Sequence, residues 1–330
     1  MSLLILAACN PDPVAVSNEA ITIRQSAALA GTTFTIEVVS LDEETAQRAI
    51  RAAFREVARL ESVVSEWQAD SEISAINAAP PWQAVAVSAE LIGVINRALW
   101  FAELTDGAFD PSFAGCASLW SIEQQRIPLA GDLVECKRHT GFRNIQVDAM
   151  NALVVLAAPG LRIGLGGIGK GYRVDRAAEV LEAHGLTSYS VNGGGDIRVS
   201  AGDLHGPWLI EIDHPRADGQ SLGRLFLDRG AIATSGDWSW YFDKDGVRYH
   251  HIFDPKTGQP SQASVAVTVI AETATDADAM ATGLFVMGPQ RGLELLHANP
   301  GFEALVVGQD LQLYRSAGFP ELDKHPMGES

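Results

Sequence analysis

The sequence predicts an α+β fold with largely antiparallel sheets flanked by helices. Short segments rich in β-branched residues alternate with longer segments of helical periodicity, and several of the short segments follow one another after only a few turn residues. Strands so closely spaced form antiparallel hairpins, whereas parallel strands need a longer crossover. Because hairpins outnumber crossovers here, we expect α+β rather than a doubly wound parallel sheet.

The first half of the chain is predicted to begin with two strands and a long helix. The strands cover residues 21–25 and 33–39, and Ser40 with Glu43 forms a capping box that opens a helix over 42–62. The other elements predicted in this half are a short helix capped by Ser71, a helix over 88–104, and a hairpin of 145–148 with 152–157. Residues 112–144 carry no clear pattern.

The second half is predicted to contain more strands and three further helices. The first of these helices contains Val174 and Leu181 on its apolar face and ends at Gly185. The second covers 275–287, and the third begins at Pro289, because proline favours the first helical position. The strands of this half are predicted at 188–192, 208–213, 222–228, 231–234, 265–271, 304–307 and 311–314.

Length and charge limit the classes of protein. The 330 residues include 24 Lys plus Arg against 41 Asp plus Glu, a formal charge of −17. Such an acidic chain is unsuited to binding the phosphate backbone of nucleic acid. No linker-like composition divides the sequence, so we expect a single domain over 20–320, after a tether at 10–19 and before a disordered tail at 321–330.

The cysteines suggest a location. Cys9 ends the segment Leu6-Ala7-Ala8-Cys9 after an apolar start, as in a bacterial lipoprotein signal, although the segment is short and has no basic residue. We therefore expect residues 1–9 to be a truncated signal, with a chance match as the alternative. A lipid on Cys9 would be the only membrane contact, anchoring the protein in the bacterial cell envelope, at the inner membrane and facing the periplasm. Cys116 and Cys136 would then be able to form a disulfide.

The glycine-rich stretch 165–175 has the features of a phosphate-binding turn. It joins an apolar run to a helical pattern, and glycines at a helix start let unpaired N–H groups approach an anion. Gly164, Gly166 and Gly169 fit a dinucleotide-binding spacing, but the required acidic residue does not follow. A P-loop is excluded because Gly171 replaces its Ser or Thr. We expect a phosphate or diphosphate here; the alternative is a glycine-rich turn without a ligand.

Two more motifs can support chemistry. Asp278 and Thr282 are four residues apart on a predicted helix, so their oxygens lie side by side and suit magnesium. The alternative for Asp278 is a solvent-facing acid near a helix start. His251 stands in His-x-x-Asp-Pro and is a candidate proton carrier or phosphate ligand, with a strand-end histidine bonded to a carbonyl as the alternative.

In order along the chain, these motifs form a specific series. The series consists of Gly31-Thr32, 71–77, 106–111, the glycine stretch 165–175, Gly194-Gly195-Asp196, Thr234-Ser235-Gly236, the histidine motif 251–258 and the helix start 278–282. It resembles the FAD:protein FMN transferase family, ApbE-like proteins of the thiamine biosynthesis lipoprotein type, over residues 25–290. The resemblance implies an ApbE-like fold, and lipoproteins in the family agree with Cys9.

The resemblance implies an enzyme that moves FMN from FAD to a Thr or Ser hydroxyl of an acceptor protein and releases AMP. It implies Mg²⁺ on the Asp278 carboxylate, the Thr282 hydroxyl and the Gly167 carbonyl. His251 and Asp278 are the implied catalytic residues. The implied contacts of FAD are Ala30, Trp67, Ala108, Phe109, Asp110, Gly164, Lys170, Gly195, Asp196, Ser235 and Ile252. The acceptor would expose its hydroxyl in an Asp-Gly-x-Thr-like segment.

The chain departs from the family pattern at three positions. Gly164 replaces an Asp before Leu-Gly-Gly, Ala30 replaces a Met before Gly-Thr, and Trp67 replaces a frequent Tyr. The loss of the acid at Gly164 removes a contact with FAD that the family pattern implies. Two alternatives therefore stay open beside the transferase, namely an FAD pyrophosphatase that yields FMN and AMP, and a non-catalytic FAD-binding lipoprotein.

Overall fold

The computed structural model of the protein describes residues 19–324. The predicted signal and almost all of the predicted tether lie outside the described residues. The helices are α1 (Glu43–Arg59), α2 (Glu61–Val64), α3 (Glu72–Ala78), α4 (Ala89–Leu104), α5 (Ala114–Ala117), α6 (Ala130–His139), α7 (Gly169–Ala183), α8 (Ala274–Met287) and α9 (Pro289–Ala298), with 3₁₀ turns at Pro111–Phe113 and Phe142–Asn144.

The strands alternate with these helices along the chain. They are β1 (Ile21–Leu29), β2 (Thr32–Ser40), β3 (Ala84–Ala86), β4 (Ile145–Asp148), β5 (Leu153–Leu156), β6 (Tyr189–Gly193), β7 (Asp196–Ser200), β8 (Trp208–Asp213), β9 (Ser221–Leu227), β10 (Arg229–Gly236), β11 (Tyr241–Lys244), β12 (Val247–His250), β13 (Phe253–Asp254), β14 (Gln259–Pro260), β15 (Ser264–Ala271), β16 (Glu303–Gly308) and β17 (Leu313–Arg315).

One eight-stranded sheet forms the centre of the fold. Its order is β1-β2-β6-β7-β10-β15-β16-β17, and every neighbouring pair is antiparallel. The other strands form a three-stranded sheet, β3-β5-β4, and the pairs β8-β9, β11-β12 and β13-β14. The predicted α+β class with antiparallel sheets is therefore confirmed.

Most predicted elements are present, with different ends. β1 and β2 are longer than predicted, because their pairing continues to Leu29↔Thr32 across a tight turn in which Ala30 has φ 52° and Gly31 has φ 73°. The predicted capping box at Ser40 is wrong. Asp42 is the N-cap of α1 and accepts a bond from Thr45 N at 3.1 Å, since the Ser40 hydroxyl is bonded to the Asp42 backbone instead.

The segment that carried no pattern, residues 112–144, folds into short helices linked by a disulfide. Cys116 in α5 and Cys136 in α6 are bonded, with their Cα atoms 5.7 Å apart. Covalent closure of this loop limits the freedom of the unfolded chain. The disulfide thereby ties α5 to α6 within this segment, and the side chains of Phe113, Trp120 and Leu133 are buried.

The start of the predicted disordered tail is ordered. Asp323 exchanges both backbone hydrogen bonds with Arg224 of β9, at 2.9 and 2.8 Å. Residues 321–324 thus pack against the β8–β9 pair, and the prediction of disorder for them is wrong. Residues 325–330 of that prediction lie outside the described residues. No helix within 19–324 has the length and apolar character needed to cross a membrane.

The central sheet separates two apolar layers. On its inner face, the β2 residues Phe34, Ile36 and Val38 are fully buried against α1 and α7. On its outer face, Trp208 and Ile210 of β8 pack with strands of the sheet. The β8–β9 pair therefore lies over the outer face, a placement that sequence periodicity alone does not predict.

The starts of α7 and α8 meet at very close range. A Cβ on Gly171 would lie 2.1 Å from the carbonyl oxygen of Ala274, so only glycine allows the approach. Gly171 N donates to Asp278 Oδ2 at 3.0 Å. In return, Asp175 of α7 accepts from Ala274 N at 2.9 Å and from Thr275 N at 2.8 Å. Each helix start is capped by a carboxylate from the other helix.

We predict that Gly171→Ala lowers the free energy of unfolding by about 3 kcal/mol, because the new methyl group must displace backbone atoms. Urea unfolding followed by circular dichroism measures the change. The matched control is Gly93→Ala in α4, where a Cβ meets no atom within 4 Å. That variant should be as stable as the original chain or up to about 1 kcal/mol more stable. Equal stabilities of the two variants would contradict the close contact.

Candidate active site

A cavity of about 600 Å³ opens where the starts of α7 and α8 meet the end of β10. The structure brings most of the predicted site residues to its wall. Those lining it are Ala108, Phe109, Asp110, Gly164, Gly167, Lys170, Gly195, Ser235, His251, Ile252, Asp278 and Thr282. Motifs separated by more than 170 positions in the sequence thus share one cavity.

A buried cluster of charged groups lies at the base of the cavity. Lys170 Nζ is 2.5 Å from Asp196 Oδ1, and the Asp196 carboxylate is 1% exposed. Burial lowers the pKa of Lys170, but the charges of Asp196 and Asp278 outweigh it and leave the pKa above its ordinary value. Burial, then the charge of Asp278, raises the pKa of Asp196 well above its ordinary value. Burial likewise raises the pKa of Asp278, against the charge of Lys170.

The cluster fits a divalent cation. With both carboxylates ionised it holds one more negative than positive charge, and Asp196 Oδ2 receives no hydrogen bond within the described residues. The excess buried negative charge is costly even with Lys170 beside Asp196, and a cation would remove that cost. Thr282 lies one turn after Asp278, and a Cβ on Gly167 would come 3.1 Å from Thr282 Oγ1. These oxygen donors suit Mg²⁺.

Carboxylates alone do not make a metal site here. No group of three or more His, Cys, Asp or Glu residues arranged to hold a metal occurs between residues 19 and 324. Any cation at the cluster would therefore need other oxygen donors besides the carboxylates, and Thr282, one turn after Asp278, carries one.

The glycine-rich stretch differs from a phosphate-binding turn. Gly169 and Lys170 already belong to α7, and the N–H groups of Lys170 and Gly171 donate to Asp278. Gly164 N donates to Pro111 O at 2.7 Å. The helix start thus already holds an anion, which is the Asp278 carboxylate. The expectation that free N–H groups of this helix bind phosphate is wrong.

Glu66 occupies the space next to Gly164. Its carboxylate accepts from Leu165 N at 2.7 Å and from Gly166 N, and burial raises its pKa against these bonds. A Cβ on Gly164 would lie 3.1 Å from Glu66 Oε2 and 2.7 Å from Ala114 Cβ. An aspartate at 164 would therefore have no room. The amides beside Gly164 are instead bonded to the Glu66 carboxylate.

His251 is presented to the cavity by its neighbour His250. The His250 ring donates to Ser261 O at 2.8 Å and accepts from Ile252 N at 3.2 Å, which fixes the bend of the chain. Nδ1 of His251 contacts the Trp240 carbonyl oxygen at 3.4 Å. Burial lowers the pKa of His251, and Lys170 adds to the effect. A neutral ring with Nδ1–H directed at Trp240 leaves Nε2 able to accept a proton.

Some predicted site residues do not reach the cavity wall. Trp67 is 86% exposed and lies away from the cavity lining, so the expected stacking of Trp67 on a ligand ring is not supported. Ala30 lies in the β1–β2 turn, from which Thr32 contacts Gly194. Asp196 lies beneath the wall within the charged cluster.

Asp110 lines the cavity, but its carboxylate has a structural role. Oδ1 accepts from the backbone N–H of Ser112 at 2.8 Å and from its hydroxyl at 2.6 Å, and Oδ2 accepts from Phe142 N at 3.2 Å. Burial raises the pKa of Asp110 against these bonds. The carboxylate therefore anchors the turn that carries Ala108 and Phe109.

Sequence reasoning missed part of the cavity wall. Trp238 and Ser239 line the cavity, and the Trp238 ring covers Gly236 so closely that a Cβ there would lie 1.8 Å from it. The tryptophans that follow Thr-Ser-Gly-Asp in the sequence could have indicated this part of the cavity wall. The β8 residues 210–213 also line the cavity. Their alternation predicted a strand, but nothing in the sequence predicted its position.

The fold and the site together define an α+β ligand-binding protein with one charged cluster at the base of a large cavity. The chain belongs to the ApbE family, whose family model matches residues 30–306. The predicted family is thereby confirmed.

Individual relatives agree with this assignment. An FAD:protein FMN transferase of Treponema pallidum is 35% identical over 82% of this chain and 80% of its own length. One of Vibrio cholerae is 33% identical over 98% of this chain and 97% of its own length. The crystal structure of the ApbE protein of Thermotoga maritima has a TM-score of 0.85 and 34% identity, covering 92% of this chain and all of that one.

We predict that His250 makes the stability of the fold depend on pH. Burial lowers its pKa from 6.5 to about 4. The folded state therefore binds fewer protons than the unfolded state between these values. The contribution is complete above pH 6.5 and is lost as the pH falls towards 4. It amounts to about 3 kcal/mol.

Urea unfolding of the original chain and of His250→Gln across this pH range measures the effect. The groups common to both proteins cancel in the difference. The original chain should lose stability more steeply below pH 6.5 than the variant does. Parallel curves would show that the His250 ring is not held in the neutral form.

Proposed function

We propose that the protein cleaves the diphosphate of FAD and transfers FMN to a Thr or Ser hydroxyl of an acceptor protein, releasing AMP. The observation that carries the proposal is the cluster of Lys170, Asp196 and Asp278 at the base of a cavity of about 600 Å³. Phosphoryl transfer depends on positioning and on neutralising charge, and this cluster is suited to both. The names of the relatives support the transfer of FMN from FAD to a protein.

Lys170 would hold the diphosphate of FAD. Its side chain is 31% exposed, whereas the carboxylate of its partner Asp196 is 1% exposed, so the ammonium can face both the carboxylate and a ligand in the cavity. We propose that Mg²⁺ is held by the Asp278 carboxylate, the Thr282 hydroxyl and the Gly167 carbonyl, where it would neutralise phosphate charge. Gly195, with φ 100° and no atom within 4 Å of a built Cβ, leaves room for the ligand.

His251 would take the proton of the acceptor hydroxyl at Nε2. The acceptor oxygen forms a bond to the phosphorus of the FMN part, the bond from that phosphorus to the bridging oxygen breaks, and AMP leaves with that oxygen. A neutral His251 is required for this step, and the lowered pKa of the ring favours the neutral form. Its contact with the Trp240 carbonyl orients the ring.

We also propose that the protein works in the bacterial cell envelope, anchored at the inner membrane by a lipid on Cys9 and facing the periplasm. The Cys116–Cys136 disulfide supports a location outside the cytoplasm, because such bonds persist in oxidising compartments.

Asp278→Ala tests the role of the charged cluster. Transfer should fall by about a hundredfold or more, since the variant lacks the carboxylate that both caps α7 and would hold the cation. The measurement is the rate of FMN attachment to an acceptor at saturating FAD and Mg²⁺. Asp203→Ala, which changes an exposed aspartate outside the cavity lining, is the control and should leave the rate unchanged. Undiminished transfer by Asp278→Ala would reject the assignment.

A flavinylation assay tests the reaction itself. The protein is incubated with FAD, Mg²⁺ and an acceptor that exposes an Asp-Gly-x-Thr segment, while acceptor mass and free AMP are followed. One FMN gained per acceptor with one AMP, both lost on chelation, is the expected result. AMP with free FMN and an unmodified acceptor would indicate the pyrophosphatase instead. Bound FAD that survives incubation with Mg²⁺ would indicate a carrier without turnover.

A further inference from the structure

Strand β8 has an unpaired edge beside the cavity. Within residues 19–324, β8 pairs with β9 on one side and with no strand on the other. The unpaired edge carries backbone N–H and C=O groups that can pair with another extended chain. The residues Leu209 and Phe226, which face each other across the β8–β9 pair, are 53% and 59% exposed, so the outer side of this pair is open as well.

The unpaired edge forms one wall of a continuous groove. The consecutive residues 210–213 all line the main cavity, although their side chains alternate between opposite faces, which indicates that the edge of the strand faces the cavity. Residues 208–210 line a second cavity of about 210 Å³. Asn192, Ile197 and Ile210 line both cavities. The second cavity therefore adjoins the first along β8.

The floor of the groove is polar. It consists of side chains on the outer face of the central sheet, namely Thr35 and Glu37 of β2 and Ser190 of β6, next to Arg24 of β1. Arg24 lies 3.9 Å from Glu37, so a carboxylate already faces its charge. No free cation is left there to attract a phosphate, and Trp208 is the sole aromatic residue of its lining. The groove is suited to a polar peptide rather than to part of a nucleotide.

We propose that the acceptor protein binds as an extended segment along β8, adding a strand to its unpaired edge with the reacting Thr or Ser at the 210–213 end. This inference rests on the proposed function, because it names the binding mode of the acceptor for that site. Six residues of strand span roughly 20 Å, enough to pair with a segment of similar length. Backbone hydrogen bonds then supply affinity, and alternate side chains of the segment contact the groove floor.

Strand addition explains how one hydroxyl is selected. The segment enters through the second cavity, whose floor is mostly polar, and its end is delivered to the charged cluster. An extended backbone places alternate side chains on opposite faces, so a hydroxyl one position away from the reacting residue faces away from Lys170. Strand pairing thus selects the acceptor residue by its register along β8 as well as by its residue type.

The first test places a long side chain in the groove floor. Thr35→Arg should raise the KM for a synthetic acceptor peptide with Asp-Gly-x-Thr at its centre by about tenfold, a loss equal to one or two backbone hydrogen bonds. Affinity for FAD, measured by flavin fluorescence, should stay the same, because Thr35 is outside the lining of the main cavity. Circular dichroism confirms that the variant is folded.

Thr22→Arg is the matched control. Thr22 lies on β1, four residues before Ser26, the cross-strand neighbour of Thr35, and it is exposed and outside both cavities. The Thr22→Arg substitution makes the same change of charge and size outside the proposed groove, so it should leave the KM unchanged. Equal KM values for Thr35→Arg and Thr22→Arg would overturn the proposed groove.

The second test uses the original chain and needs no variant to fold. Acceptor peptides are made with a single backbone N-methyl group at each successive position beside the Thr. Strand addition predicts that transfer falls at every second position, since only alternate N–H groups of an added strand face β8. Losses without this alternation, or no losses, would overturn strand addition.

The experiments distinguish a wrong docking mode from a wrong reaction. If the unmodified peptide is flavinylated but neither the groove variant nor N-methylation changes its KM, the docking mode is wrong and the transferase stands. If neither the peptide nor an acceptor protein with the same segment gains FMN while FAD binds, the proposed function fails, and the docking mode fails with it.

Discussion

The close contact between the starts of α7 and α8 is the constraint on which the site depends. Gly171 leaves no space between its backbone and the Ala274 carbonyl, and Asp278 and Asp175 cap the opposite helices across this contact. Hydrogen bonds to charged groups stabilise more than neutral ones, and here they are reciprocal. The result is that Lys170 and Asp278, which lie more than 100 positions apart, have one fixed relative position. Loss of the contact would separate them.

The same contact concentrates negative charge where the fold least tolerates it. Asp196 and Asp278 are buried with a single lysine between them, and burial raises the pKa of both carboxyl groups. Interiors normally pair their charges, because an unmatched buried ion destabilises the native state. The apolar layers on both sides of the sheet and the Cys116–Cys136 disulfide offset part of this cost. Ligand binding, rather than stability of the fold, therefore explains why these charged residues occur in the buried cluster.

The sequence predicted the fold class and much of the cavity for a simple reason. Ser71, Ser88 and Gly185 are helix-end signals that act locally, and the structure places all three at helix ends. The motifs of the site lie at the ends of elements, so a correct list of elements brings them close together. The predictions that were wrong concerned features that depend on contacts between distant segments. The N–H groups of α7 are occupied by Asp278, and no local pattern reveals this. Sequence periodicity likewise gives no information on the position of β8 over the sheet.

Glu66 and Gly164 form a pair in which the residue allowed at one position depends on the other. In a position-by-position comparison, Gly164 counts as a lost acid, yet a carboxylate still lies against the Leu165 and Gly166 amides. The two positions are energetically coupled, because a second acid at 164 would be forced against Glu66 and Ala114. A lineage could exchange one arrangement for the other only through an intermediate with two crowded carboxylates or with none. Moving the carboxylate from one position to the other therefore requires two coordinated substitutions rather than one.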